Sequence, residues 1–282
     1  MGHPNVCDGS IENDGGFVKR REFMAGSVAA SAAALAGSTK LTAQSAGGAS
    51  REFYELRLYH MQSGPQTKLM DAYLEGALVP ALNGLGVKTV GVFNVTYGET
   101  PVVYVLVPST QLETLVTAEL LLAKDANYMK AVAAFWSAPA TAPPYIRVES
   151  KLMVAFEGFP KLVVPAATAK KEKRIYQLRT YESPTSEAHA RKVEMMNSGE
   201  TDAFKNSGCT QIFYGDTLIG PSMPNLTYML SFPDIDALNA GWDKFRVDPI
   251  WKKLTASPRY NYEAIVSNIT NLILTPTSYS QI

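Results

Sequence analysis

The chain is poor in the residues from which proteins build redox and metal chemistry. Its 282 residues include two cysteines, Cys7 and Cys209, and three histidines. Beyond the first 45 residues only Cys209, His60 and His189 remain, so an internal disulfide is excluded there. With no cysteine pair and no His-x-x-x-His, nothing points to a protein-built zinc or iron site. Charge of one sign is also lacking: 26 Lys and Arg balance 26 Asp and Glu. A neutral chain without a basic stripe is a poor partner for nucleic acid or an anionic membrane. No stretch approaches the roughly 20 apolar residues of a spanning helix, so no transmembrane segment is expected. Glycine-rich phosphate loops, Gly-x-Ser-x-Gly elbows and Walker sequences are missing as well.

What is present begins with a signal-like segment. Val18-Lys19-Arg20-Arg21-Glu22-Phe23-Met24 places paired arginines before a weakly apolar run from Ala25 to Leu41. Arg-Arg-x-Phe-Met resembles the twin-arginine export signal, which a receptor reads rather than a membrane anchors. Residues 1–50 are therefore expected to be a signal peptide and disordered segment, with cleavage after Ser45 and a periplasmic destination.

The rest is organised around a stretch that occurs twice. Phe53-Tyr54-Glu55-Leu56-Arg57-Leu58-Tyr59-His60 returns 122 residues later as Ile175-Tyr176-Gln177-Leu178-Arg179-Thr180-Tyr181-Glu182. Both alternate with the period of a strand. Tyr54, Leu56 and Leu58 make one face; Glu55, Arg57 and Tyr59 make the other. The surroundings repeat too. A helical pattern over 67–83 is matched by one over 186–205, two strands follow in each copy, and then comes a second helix, expected from Gln111 to Phe135 in the first copy with Ser109 or Thr110 as its cap. A closing strand ends each copy. This predicts an α+β protein of tandem ferredoxin-like βαββαβ units, residues 51–159 and 174–282, joined by an exposed Pro/Ala/Lys-rich connector over 160–173. Such sheets carry helices on one face only, so the two sheets are expected to cover each other, forming an intrachain dimeric α/β barrel.

These residues resemble the NIPSNAP family. The resemblance rests on Tyr-Glu-Leu-Arg-x-Tyr at the head of a copy, Gly241-Trp242-Asp243-Lys244-Phe245 with Asp248-Pro249-Ile250-Trp251, and the tail Leu272 to Thr277. It extends over most of residues 51–282 as two tandem domains. The first copy departs from it: the Gly-Trp…Phe pair is absent, and Tyr128 stands where the second has Trp251. The resemblance implies the dimeric α/β-barrel superfamily, whose members include cofactor-independent oxygenases, haem enzymes and plain binding proteins. It implies no catalytic residues.

Candidate function therefore rests on Glu55, Arg57, Tyr59, Gln177, Arg179 and Tyr181. If the apolar faces meet the helices, these six project between the sheets, and a pseudo-twofold brings Arg57 and Arg179 toward one volume. Arginine offers a permanently charged planar fork, so the expected ligand is a small anionic or carbonyl-bearing molecule. The competing expectation is a salt-bridged seam without a ligand. No cofactor is expected: His189, near a helix start, is the one residue that could answer a haem, and lone helix histidines are usually solvated. His60 is read as a strand-end surface residue, Cys209 as a small buried hydrophobe, Trp242, Phe245 and Trp251 as core, and Asp234, Asp236, Asp243 and Asp248 as helix-capping or solvated positions. The chain reads as a binding protein, with a cofactor-independent oxygenase-like enzyme or a scaffold acting through its outer helices as alternatives. Homo-oligomerisation is left open.

Overall fold

In the computed structural model, which describes residues 50–282 apart from 63 and 100, the two repeated stretches are central strands. The first, β1 (Phe53–His60), lies antiparallel between β3 (Val102–Ser109) and β4 (Arg147–Ala155), and β2 (Gly91–Tyr97) continues the sheet beyond β3. Likewise β5 (Ile175–Glu182) lies between β7 (Asn225–Phe232) and β8 (Asn268–Pro276), with β6 (Thr210–Ile219) beyond β7. Two seams, β2 with β8 and β4 with β6, close the sheet into an eight-stranded antiparallel barrel. Each seam carries a register shift, at Val95/Tyr97 and at Leu152/Met153; such irregularities add the local twist that lets a sheet curl shut. The signal-peptide expectation for residues 1–49 lies outside the described residues.

Helices cover the outside of each half. In the first, α1 (Pro65–Tyr73) passes through a π-helical turn, Leu74–Leu78, into α2 (Val79–Gly84). The long helix expected from Gln111 instead breaks into α3 (Leu112–Leu122), α4 (Ala126–Ala131) and α5 (Ala133–Trp136). The break has a local cause: the Asp125 carboxylate accepts from Asn127 N at 2.8 Å and Tyr128 N at 3.0 Å, capping a new helix. The expected cap at Ser109 or Thr110 is not made, since Gln111 occupies that position and Ser109 Oγ accepts from its backbone N–H. The connector is no loose tether either. It forms the short α6 (Ala166–Ala169), Leu162 N donates to Glu52 Oε2 at 2.7 Å, and Val163 N donates to Ile212 O.

In the second half α7 (Ser186–Met195), capped by Thr185, runs through another π turn, Met196–Glu200, into α8 (Thr201–Asn206). Asp234 caps α9 (Ile235–Val247), Asp248 caps α10 (Pro249–Thr255), and α11 (Tyr262–Ile265) precedes β8. Asp243 pairs with Arg246.

One expectation about the strands is reversed. The Tyr54–Leu56 face points into the barrel, where Tyr54 meets Phe213 at 5.1 Å and Phe93 meets Tyr176 at 4.9 Å, with Leu56 and Met229 buried beside them. The face bearing Arg57 and Tyr59 points outward under the helices. The physical reason is enclosure. The middle of the barrel interior is walled by backbone all round and takes the apolar face, whereas the margin between sheet and helices opens to water and tolerates charge.

Candidate functional site

The reversal separates the six candidate residues into two places, one under each helix layer. In the first half Arg57 is fully engaged. Its Nε donates to Glu55 Oε1 at 2.7 Å, its Nη2 to Glu55 Oε2 at 2.8 Å and its Nη1 to Glu119 Oε1 on α3 at 2.9 Å. Burial works against the guanidinium charge, but the Glu55 carboxylate more than offsets it and holds Arg57 above its ordinary range. Rings fill the adjoining space: Tyr73 stacks on Phe135 at 3.8 Å, and Tyr59 and Tyr145 close around them. With two acids on one arginine and rings filling the space beside it, Arg57 has no charge left to offer an anion.

The second half holds the same strand motif with different partners. Glu55 becomes Gln177, whose amide turns away from the arginine: Oε1 accepts from Trp242 Nε1 at 2.7 Å and Nε2 donates to Asn271 Oδ1 at 2.9 Å. Glu119 becomes Trp242; these two, like the capping residues Asp125 and Asp248, are 123 residues apart. Arg179 therefore loses both acids, and among the described residues it has no carboxylate within 4.0 Å. Its Nη2 donates to Tyr181 Oη at 3.0 Å, and its Cζ lies 4.4 Å from the Trp242 ring centroid and 5.3 Å from that of Tyr181. Its Nε is buried without a hydrogen-bond partner. An unspent N–H beside a charged, aromatic-backed plane is where an acceptor would dock.

The cleft around it has a volume of about 490 Å³ and lies between β5 and β8 on one side and α9 and α10 on the other. Trp242, Phe245 and Trp251, expected as core, pack on one another and also line it. Deeper in, Lys192 Nζ and Glu200 Oε2 pair at 2.6 Å, both side chains nearly inaccessible. The π turn places Glu200 there; Gly199 at its centre has φ 137° and packs against Ile250, a conformation that suits only glycine. Tyr228 donates to Tyr181 at 3.4 Å, and its own phenol is pushed well above the ordinary range by burial first and then by Tyr181, so it stays protonated. Lys192 and Glu200 cancel, and Arg246 at the margin pairs with Asp243. The positive charge left to a ligand is that of Arg179.

Cys209 is buried, as expected, and burial pushes its thiol up to about 11, which makes it a poor nucleophile. His60 is buried rather than on the surface, held by Glu99 and Glu149. His189 is not solvated; its Nε2 lies 2.7 Å from Asp216 Oδ1. Among the described residues no three His, Cys, Asp or Glu side chains gather as a metal site. Sequence reasoning missed Asn271 and the Lys192–Glu200 pair, and it took Trp242 for core alone. The exchange of Glu119 for Trp242 at a constant offset was the signal that could have revealed the last.

No curated protein matches the chain. Among solved structures it is similar in fold to a protein of Fusobacterium nucleatum provisionally named a monooxygenase, with 9% identity, 80% of this chain and 93% of that chain covered, and a TM-score of 0.52. A Lactobacillus acidophilus protein of the same provisional name aligns at 8% identity over 82% of this chain and 98% of its own, with a TM-score of 0.51. A NIPSNAP-like domain protein of Burkholderia xenovorans aligns at 18% identity with 39% of this chain and 90% of that one, with a TM-score of 0.34. The first two likenesses, each spanning the barrel, are of fold alone: a mixed α/β fold. The half of the chain that holds the open cleft is also the half with a family match, for residues 176–281 match the model of the NIPSNAP family.

Proposed function

We propose that the chain binds a small, planar, anionic or carbonyl-bearing molecule in the cleft of its second half, with Arg179 as the anchor. The observation that carries this reading is the buried Arg179 Nε without a partner, on a guanidinium held against Trp242 and with no carboxylate within 4.0 Å among the described residues. A carboxylate or phenolate oxygen would meet the Nε edge, and its ring would lie among Trp242, Phe245 and Trp251. Asn271 and Gln177 would fix its orientation. Titration with a panel of aromatic carboxylates and quinones, followed by tryptophan fluorescence, tests this. Binding should fall at least tenfold in Arg179→Gln, and equal affinities in both proteins would sink the proposal.

A second reading is cofactor-independent oxidation of such a molecule, favoured by the provisional names of the two fold relatives. Oxygen uptake with an electron-rich phenol and no added cofactor would distinguish turnover from binding. The finer architecture is read here as two ferredoxin-like βαββαβ units, 51–159 and 174–282, fused by 160–173. Export by the twin-arginine route belongs to the same proposal; replacing Arg20 and Arg21 by lysine should leave unprocessed protein in the cytoplasm.

A further inference from the structure

The other polar place of note lies inside the barrel. Along β4 the inward positions are Glu149, Lys151, Met153 and Ala155; Lys151 sits opposite Leu56 and is 8% exposed. Met153 and Ala155 belong to the apolar end of the interior. Lys151 marks the change to a polar end, where its Nζ donates to Thr227 Oγ1 at 3.1 Å and to Asn225 Oδ1 at 3.3 Å. Both acceptors are held. Asn225 Nδ2 donates to the carbonyls of Pro221 and Ser222 at 2.9 Å, its Oδ1 also accepts from Thr217, and Thr227 bonds Thr180 at 2.9 Å. The lysine stem is held too, since a Cβ on Gly220 would come within 3.0 Å of Lys151 Cγ. The other buried lysine, Lys192, is neutralised by Glu200, whereas Lys151 has no carboxylate within 4.0 Å among the described residues. Beside it opens a cavity of about 160 Å³ walled by Leu56, Leu58, Leu178 and Leu272, with Glu149 and Glu182 also lining it.

We propose that Lys151 is a reactive amine that condenses with a short, neutral aldehyde seated in this cavity. The leucines favour an apolar chain, and the two glutamates repel an anion, so the selectivity is opposite to that of the Arg179 cleft. Burial lowers the Lys151 pKa to about 8, against the pull of Glu182, so about a tenth of the amine is neutral at pH 7, far more than for an ordinary lysine. The nitrogen lone pair attacks the carbonyl carbon, a C–N bond forms, and the carbonyl π pair moves to oxygen, which takes one N–H proton. The carbinolamine then loses its hydroxyl together with the second N–H proton as water, leaving a C=N bond. Aldehyde and amine thus give imine and water, with no change of oxidation state.

The test is reductive trapping. Folded protein is treated with propanal and cyanoborohydride at neutral pH, and adducts are located by peptide mass mapping over time. Lys151 should carry a propyl group at least tenfold sooner than exposed lysines such as Lys170, while Lys192 stays unmodified. Labelling of exposed lysines with Lys151 untouched would overturn the proposal, as would equal rates at Lys151 and Lys192. Glyoxylate in place of propanal should label Lys151 more slowly; an equal rate would overturn the assignment to neutral aldehydes. Lys151→Arg should lose the early adduct while thermal melting reports whether the barrel persists. Should that variant fail to fold, the wild-type site map decides alone.

Discussion

Trp242 donates its indole N–H to Gln177 Oε1 at 2.7 Å, and this bond keeps the amide of Gln177 turned from Arg179. In the first half, the acid at the matching position grips its arginine with both oxygens. Gln177→Glu should therefore close the open cleft. A carboxylate would find Arg179 two positions along the same strand face, and ligand affinity in a fluorescence titration should drop at least tenfold, about 1.4 kcal/mol. Unchanged affinity would show that the arginine is not the anchor.

The two arginines should differ in their contribution to stability. Arg57→Ala strands Glu55, whose side chain is 14% exposed, and should lower stability by roughly 3–5 kcal/mol. Arg179→Ala strands no acid and loses mainly a hydrogen bond and ring contacts, roughly 1–2 kcal/mol. Denaturant unfolding of both variants measures the gap, and equal losses would contradict the difference in pairing.

The Lys192–Glu200 pair is buried on both sides, so breaking it from one side should be severe. Glu200→Gln should cost on the order of 3–5 kcal/mol by leaving the ammonium alone, while the double replacement Lys192→Met with Glu200→Met should recover most of the loss. Chemical denaturation of the single and double variants checks this, and a double variant as weak as the single would show that the pair itself contributes net stability.

Lys151 gives a pH signature. Its pKa falls from 10.5 unfolded to about 8 folded, so between those values the unfolded chain binds more protons and stability rises with pH through that window. Below pH 8 the buried charge costs its full penalty. Glu149 and Glu182 line the same cavity, and Tyr104, pushed up to about 12 by burial and then by Glu99 and Glu149, titrates above the window. Lys151→Met should remove the rise and be more stable by ~1–3 kcal/mol below pH 8. Melting curves from pH 7 to 10 compare the two proteins; parallel curves would contradict the shift.

How far the sequence could be read depended on whether the information was local. The strand motif around Arg57 and Arg179, the alternation, the caps at Asp234 and Asp248 and the burial of Cys209 are all written within a few neighbouring residues. Which face of β1 turns inward is not local. It depends on whether the sheet closes on itself, a property of seams between strands about 60 to 180 residues apart. The break at Asp125 was legible, since Asp before Ala-Asn-Tyr is a capping pattern, but the continuing apolar run concealed it. The open site needed one more comparison than the repeat invited. The motif is alike in both halves, and the difference lies in what faces it from the helix, Glu119 or Trp242.

Closure of the barrel also governs how the protein can come apart. The outer strands of each half hydrogen-bond the outer strands of the other, β2 to β8 and β4 to β6, so neither half can melt without stripping the other of both its neighbours. Unfolding of the intact chain is thereby coupled into one transition, although each half has a helix-packed core of its own. Either half on its own, 51–159 or 174–282, would carry bare backbone donors and acceptors on two flanks, the condition that invites strand-to-strand aggregation.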